Sequence, residues 1–316
     1  MKKIYFPLIL TCFALADVST VSYAGPGEKV DLKLRLQQGK TYKTRMVYDQ
    51  KMTQTLQGRE MEINQKMAMD FAFDVQEVGE AGDATIKVTF QGISAEMEGP
   101  MGKISYDSAS PTEVDHPMMK GFAAIAGQSY IMVLSEKGEV KKVDGVKEMM
   151  SRIIDSLELP DGQMREMMKK QFEDMFGDQA TAEMMGQWFS MIPDRPVEAG
   201  DSWTKTISIT AGMPMTIDYK WTLKERKGGI AVLAVESVLK SNPDAGPMEM
   251  GPMKITMDVS GEQSGTYELD ESTGWIVRSR MTQKISGEQI IEGGPAEEGG
   301  MSIPLAMETI ITLEPL

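Results

Sequence analysis

From Met61 to Val75 the chain changes character at every step. The odd positions read Met61, Ile63, Gln65, Met67, Met69, Phe71, Phe73 and Val75; the even ones between them read Glu62, Asn64, Lys66, Ala68, Asp70, Ala72 and Asp74. A strand sends successive side chains to opposite faces. A period of two held over these fifteen residues therefore predicts a long antiparallel strand with one dry and one wet face. The pattern returns at Met213, Met215, Ile217, Tyr219, Trp221 and Leu223, and again at Ile303, Leu305, Met307, Thr309, Ile311 and Leu313.

Aligning these strands predicts an internal repeat. Leu36–Tyr42 matches Val197–Trp203, and the strand around Met67–Val75 matches that around Met213–Leu223. Glu98-Gly99-Pro100-Met101 matches Met250-Gly251-Pro252-Met253, and a hairpin at Glu136-Lys137-Gly138 matches one at Ser272-Thr273-Gly274. An extra segment around 107–126 accounts for part of the drift in offset. Gly-Pro between strand patterns is turn chemistry, because Pro fixes φ and Gly supplies freedom at the bend.

Residues 145–192 change period. Val146, Met149, Met150, Ile153, Ile154 and Leu157 fall at helical spacing, as do Met164, Met167, Met168, Phe172 and Met175, then Met184, Met185, Trp188, Phe189 and Ile192. Two or three amphipathic helices follow from this. The expected fold class is α+β, mainly antiparallel β. It comprises a leader (1–24), a first curved β-meander (25–144), Met-rich helices (145–192) and a second meander (193–316), the meanders being candidate half-barrels.

The leader rests on Lys2 and Lys3, the apolar run Ile4–Ala16 and the small-residue site Ser22-Tyr23-Ala24. Together these have the form of a secretory signal cleaved after Ala24, with Ala16 as the alternative, and predict export to the periplasm or beyond. The run is too short to span a bilayer, and no other segment is a transmembrane candidate. The only cysteine, Cys12, lies in this leader, so disulfides are not expected. Thr11 and Phe13 fit a lipid-anchoring motif at Cys12 poorly. A formal net charge of −14 argues against nucleic acid, which selects basic surfaces.

Catalytic and metal chemistry is sparsely represented. His116 is the only histidine, so any Ser-His-Asp mechanism would run through it. Nucleotide-binding glycine loops and His-Glu-x-x-His are absent from the sequence. Asp270–Gly274 has calcium-like letters but the setting of a hairpin turn. Methionine is abundant, at 29 residues. Met248, Met250, Met253 and Met257 have a spacing that could gather thioethers around Cu(I). Most of the others stand at dry-face positions, where a flexible, polarizable side chain fills a core or lines an adaptable surface.

Gly39-Lys40-Thr41-Tyr42, the run Gln65–Val78, Met97–Met101 and above all Pro193-Asp-Arg-Pro196-Val-Glu-Ala-Gly200-Asp201-Ser202-Trp203 resemble an uncharacterised family of bacterial exported proteins, the domain-of-unknown-function family six-two-six-three. The resemblance covers roughly Leu32 to Ser286 and implies no catalytic residue. At fold level the pattern is also similar to periplasmic lipoprotein-carrier half-barrels.

The leading expectation is a cofactor-free, non-enzymatic envelope protein that binds a hydrophobic small molecule or lipid on a concave face. Its candidate lining is Met67, Met69, Phe71, Phe73, Met149, Met167, Met168, Met184, Met185, Trp188, Met215, Tyr219 and Trp221. The alternative is a structural component that meets another envelope protein. A hydrolase using His116 or a carboxylate pair ranks below both.

Overall fold

The computed structural model describes residues 27–56, 58–100, 102–111, 117–156, 162, 165–166, 169–170, 177–210, 214–242, 246–250, 253–293 and 300–316. The first half supplies β1 (Thr41–Leu56), β2 (Arg59–Val78), β3 (Ala84–Gly99), β4 (Gly102–Asp107), helix α1 (Pro117–Ile125), β5 (Ser129–Leu134) and β6 (Val140–Asp144). Helices α2 (Val146–Ser156) and α3 (Asp178–Trp188) follow. Then come β7 (Ser202–Ile209), β8 (Met215–Lys227), β9 (Ile230–Ser241), β10 (Met248–Met250), β11 (Met253–Asp270), β12 (Ile276–Glu292) and β13 (Met301–Pro315).

All thirteen strands among the described residues belong to one curved antiparallel sheet, in the order β6-β5-β3-β2-β1-β13-β12-β11-β9-β8-β7, with β4 beside β3 and β10 beside β11. The first and last strands therefore meet at the centre, and the edge strands β6 and β7 are neighbours in sequence. Helix α3, between them in the chain, packs against both edges. A helix is only about 10–12 Å wide, so the sheet curls until one helix spans its opening and covers its unpaired edges.

The period-two segments become β2, β8 and β13, with the dry phase facing inward. Outward, a cross-strand ladder alternates in charge: Lys51 lies opposite Glu308, Glu308 opposite Lys284, and Lys284 opposite Glu262. A slip of one residue would turn this ladder into the core, so the two faces together fix the register. Close approach also demands glycine on the inner face. A Cβ at Gly261 would lie 2.2 Å from the Lys284 carbonyl oxygen, and one at Gly265 2.2 Å from that of Arg280.

One end of the curl is closed. Residues 28–38 cross it as a strap, burying Leu32, Leu34 and Leu36. Val30 exchanges backbone hydrogen bonds with Val197, the Leu34 N–H donates to the Glu136 carbonyl, and the Arg35 N–H to that of Thr273. Above the strap lies an aromatic cluster in which Trp275 stacks on Tyr42 at 4.7 Å and meets Phe73 edge-on at 5.0 Å.

The two Gly-Pro segments occupy unlike places. In the first, Gly99 pairs with Gly102 at the end of the long strand β3; in the second, Met250 pairs with Met253 after the three-residue strand β10. The flanking strand pairing thus sits one residue differently against the same letters. Helix α1 falls within the stretch that the sequence marks only as an extra segment. Its Gly121 and short length leave no helical period to detect. The expected helix around Met164–Met175 lies largely outside the described residues. Among those described, no helix is long and apolar enough to cross a membrane.

Candidate functional site

The inner face is legible as rows running across the strands. Next to the closed end, Met69, Met46 and Leu313 form one row, and Met67, Tyr48, Ile311 and Met281 the next. Two steps further from the closed end, Ile63, Met52, Met307 and Ile285 form another. Along β1 and β2 burial falls in this direction, while Val259 on β11, Ile285 on β12 and Leu305 and Ile303 on β13 stay buried further out. Phe73 is fully enclosed and Phe71 and Leu313 are buried, whereas Met46, Met52, Met67, Met69, Met257 and Met307 are half-buried. At Ile63, Met52 and Met307 the apolar surface thus continues out of the core toward the end opposite the strap without being packed to completion.

Between those rows runs a polar belt. Gln65 pairs with Gln50, Gln50 with Thr309, Thr309 with Gln283, Gln283 with Gln263, and Gln263 with Ser237. Thr309 is wholly buried, and Gln263 and Ser237 nearly so. The Ser237 hydroxyl donates to Gln263 Oε1 at 2.9 Å. Gln50 Nε2 donates to the Tyr48 hydroxyl at 2.8 Å and to Thr309 Oγ1 at 3.3 Å, and lies 3.6 Å from Met307 Sδ. Burial pushes the Tyr48 phenol above its ordinary pKa, partly offset by Thr309. Burial likewise raises Tyr219, which continues the belt on β8, with a further push from Tyr267. Neutral polar groups in a partly dry setting keep hydrogen-bonding power that water does not saturate.

Helix α1 covers one flank. Met119 packs with Ile93, Ala95 and Tyr106, and this cluster touches Met67 and Met69. On the far side, Trp203 and Trp221 are cross-strand partners whose indole N–H groups are buried without an acceptor among the described residues.

The residues predicted from sequence divide clearly. Phe71, Phe73, Met149, Met185, Met215, Tyr219 and Trp221 are buried in the continuous core. Met69 and Trp188 are half-buried against it, Met67 is half-buried against the smaller cluster at helix α1, and Met184 is 48% exposed. Met167, Met168 and His116 lie outside the described residues. Of the thioether candidates, Met253 and Met257 are half-buried on β11, and the β10 pairing sets Met248 opposite Ile255 and Met250 opposite Met253. Among the described residues no cluster of His, Cys, Asp or Glu is arranged to hold a metal. Sequence reasoning missed Met46, Met52 and the belt. Gln65 and Thr309 stood in the dry phase of their strands, and that was the available signal.

A shallow groove of about 620 Å³ lies elsewhere, beside the charge ladder of the outward face, with Lys51, Glu262, Lys284, Glu308 and Val238 in its lining.

The family described as "Family of unknown function (DUF6263)" matches residues 81–276. No curated protein matches the sequence. Among solved structures, one of lipovitellin, described by its lipid–protein interactions, is similar at 11% identity and a TM-score of 0.45; the match covers 89% of this chain and 25% of that one. This chain thus spans a quarter of the lipovitellin chain. The OccK5 (OpdH) structure of Pseudomonas aeruginosa gives 8% identity and a TM-score of 0.18 over 88% of this chain and 99% of that one. The translocator domain of autotransporter NalP from Neisseria meningitidis gives 7% and 0.16 over 90% and 91%.

Proposed function

The chain belongs to the DUF6263 family of unknown function, and we propose that it is an exported envelope protein that binds a hydrophobic ligand, such as an acyl chain or lipid, without catalysing a reaction. The ligand lies on the unfinished half of the inner face. The observation that carries this reading is the stretch formed by Ile63, Met52 and Met307, which is apolar, adjoins the buried Ile285 and is yet half-buried. Apolar surface left open beside a packed core marks a place for another molecule. Methionine suits a pocket that must adapt to flexible chains. Export is supported by the leader-like residues 1–24.

The neutral probe N-phenyl-1-naphthylamine tests the reading. Its fluorescence should rise on adding the mature protein and fall when an acyl ligand displaces it. A probe that stays dark over the wild-type protein at all accessible concentrations contradicts the proposal. A second reading, contact with another envelope protein, draws on Val238, which is 50% exposed beside the outer groove.

A further inference from the structure

Resting on that reading, we infer the class of ligand: a neutral amphiphile whose ester, amide or hydroxyl group sits on the glutamine–threonine belt. The belt lies within an apolar surface, with methionine and isoleucine rows on both sides. Neighbouring strands stand about 4.8 Å apart, so the amides of Gln65, Gln50 and Gln283, with Thr309 among them, form a closely spaced line of donors and acceptors. Gln50 spends its Nε2 on Tyr48 and Thr309, and Gln263 accepts from Ser237. Gln65 and Gln283 make no side-chain hydrogen bond among the described residues. Both are half-buried.

A molecule covering these amides must replace the water that satisfies them, because a buried amide without a partner is strongly disfavoured. Pure hydrocarbon cannot do so. A carboxylate or phosphate could accept from the amides but would be buried without a counter-charge. The inner positions of β1, β2, β11, β12 and β13 carry no charged side chain between the closed end and Arg59 at the rim. The cation in line with the belt is Lys205, opposite Tyr219 on edge strand β7. The acidic net charge adds a general repulsion of anions. A neutral ester, amide or hydroxyl meets every condition.

The test uses the mature protein with bound N-phenyl-1-naphthylamine, displaced at pH 8 by monooleoylglycerol, oleamide, oleate or lysophosphatidylglycerol. The two neutral lipids should displace the probe at concentrations at least about tenfold below those of the two anions. Gln65→Met and Gln283→Met, singly and together, should weaken monooleoylglycerol several-fold more than they weaken the probe. Equal or better displacement by oleate overturns the inference, and does so most plainly if Lys205→Gln removes it. Unchanged monooleoylglycerol affinity in both single variants also overturns it, while the binding reading survives. Failure of the wild-type protein to bind the probe overturns both.

Discussion

Met52 and Met307 face each other across the seam between β1 and β13, the first and last strands of the sheet. Both are half-buried. The proposed binding surface therefore exists only once the two ends of the chain have paired, and its centre draws on both halves of the molecule.

A cation on that seam should separate binding from folding. Met307→Lys retains a long aliphatic stem at a half-open position, so the charged end can reach water. Its melting temperature is expected to stay within a few degrees of wild type. Affinity for the naphthylamine probe should fall about tenfold, roughly 1.4 kcal/mol. Unchanged affinity would place the probe elsewhere.

Gly274 should tolerate no side chain. Its φ is +69°, and a Cβ would stand 2.3 Å from the Lys33 carbonyl oxygen. Gly39 has a similar φ of +77° but open space around it. Gly274→Ala is expected to cost about 2–4 kcal/mol and Gly39→Ala about 1 kcal/mol, read from urea denaturation. Equal costs would mean that the strap does not press on the hairpin.

Arg226 anchors that strap. It holds Glu271 through hydrogen bonds of 2.8 and 3.0 Å and donates to the Glu28 carbonyl at 2.8 Å. A planar guanidinium matches a carboxylate in this paired way, which lysine cannot reproduce. Arg226→Ala is expected to lose about 1–3 kcal/mol and to hasten proteolysis near residue 28 before the sheet is cut. A digestion pattern unchanged from wild type would contradict this.

Acid should weaken the fold through Asp201 and Asp270. The Glu198 N–H and Arg195 hold the Asp201 carboxyl below its usual pKa. At Asp270 burial works upward, but hydrogen bonds from Ser272 and Thr273 outweigh it and the pKa is lowered. A lowered folded-state pKa gives stability that is present above the unfolded value of about 4 and lost as pH falls through the folded one. The melting temperature should therefore drop below about pH 4. Asp201→Asn should melt lower than wild type at pH 7 and converge with it near pH 3. At the other extreme, burial pushes Tyr267 up to about 12. Stability should fall as pH climbs from about 10 toward that value, with tyrosinate absorbance growing on unfolding.

The sheet was legible because alternation is a local signal. Met61–Val75 carries strand, faces and phase in its own letters. The order of strands was not, since the pairing of β1 with β13 joins segments at opposite ends of the chain, and no local pattern encodes such a contact. The site followed the same division. Phe71, Phe73 and Trp221 have the letters expected of a lining but lie in the core, because the strap and helices close that end. Met52 and Gln50 look unremarkable in sequence, and only the cross-strand register sets them beside Met307 and Thr309.

The most direct test is a native mass spectrum of the protein isolated from its own cells, repeated after denaturation. The account predicts a discrete additional mass that leaves on denaturation and belongs to a hydrophobic molecule. A bare chain mass from gently prepared material, together with no binding of added acyl lipids, would contradict it.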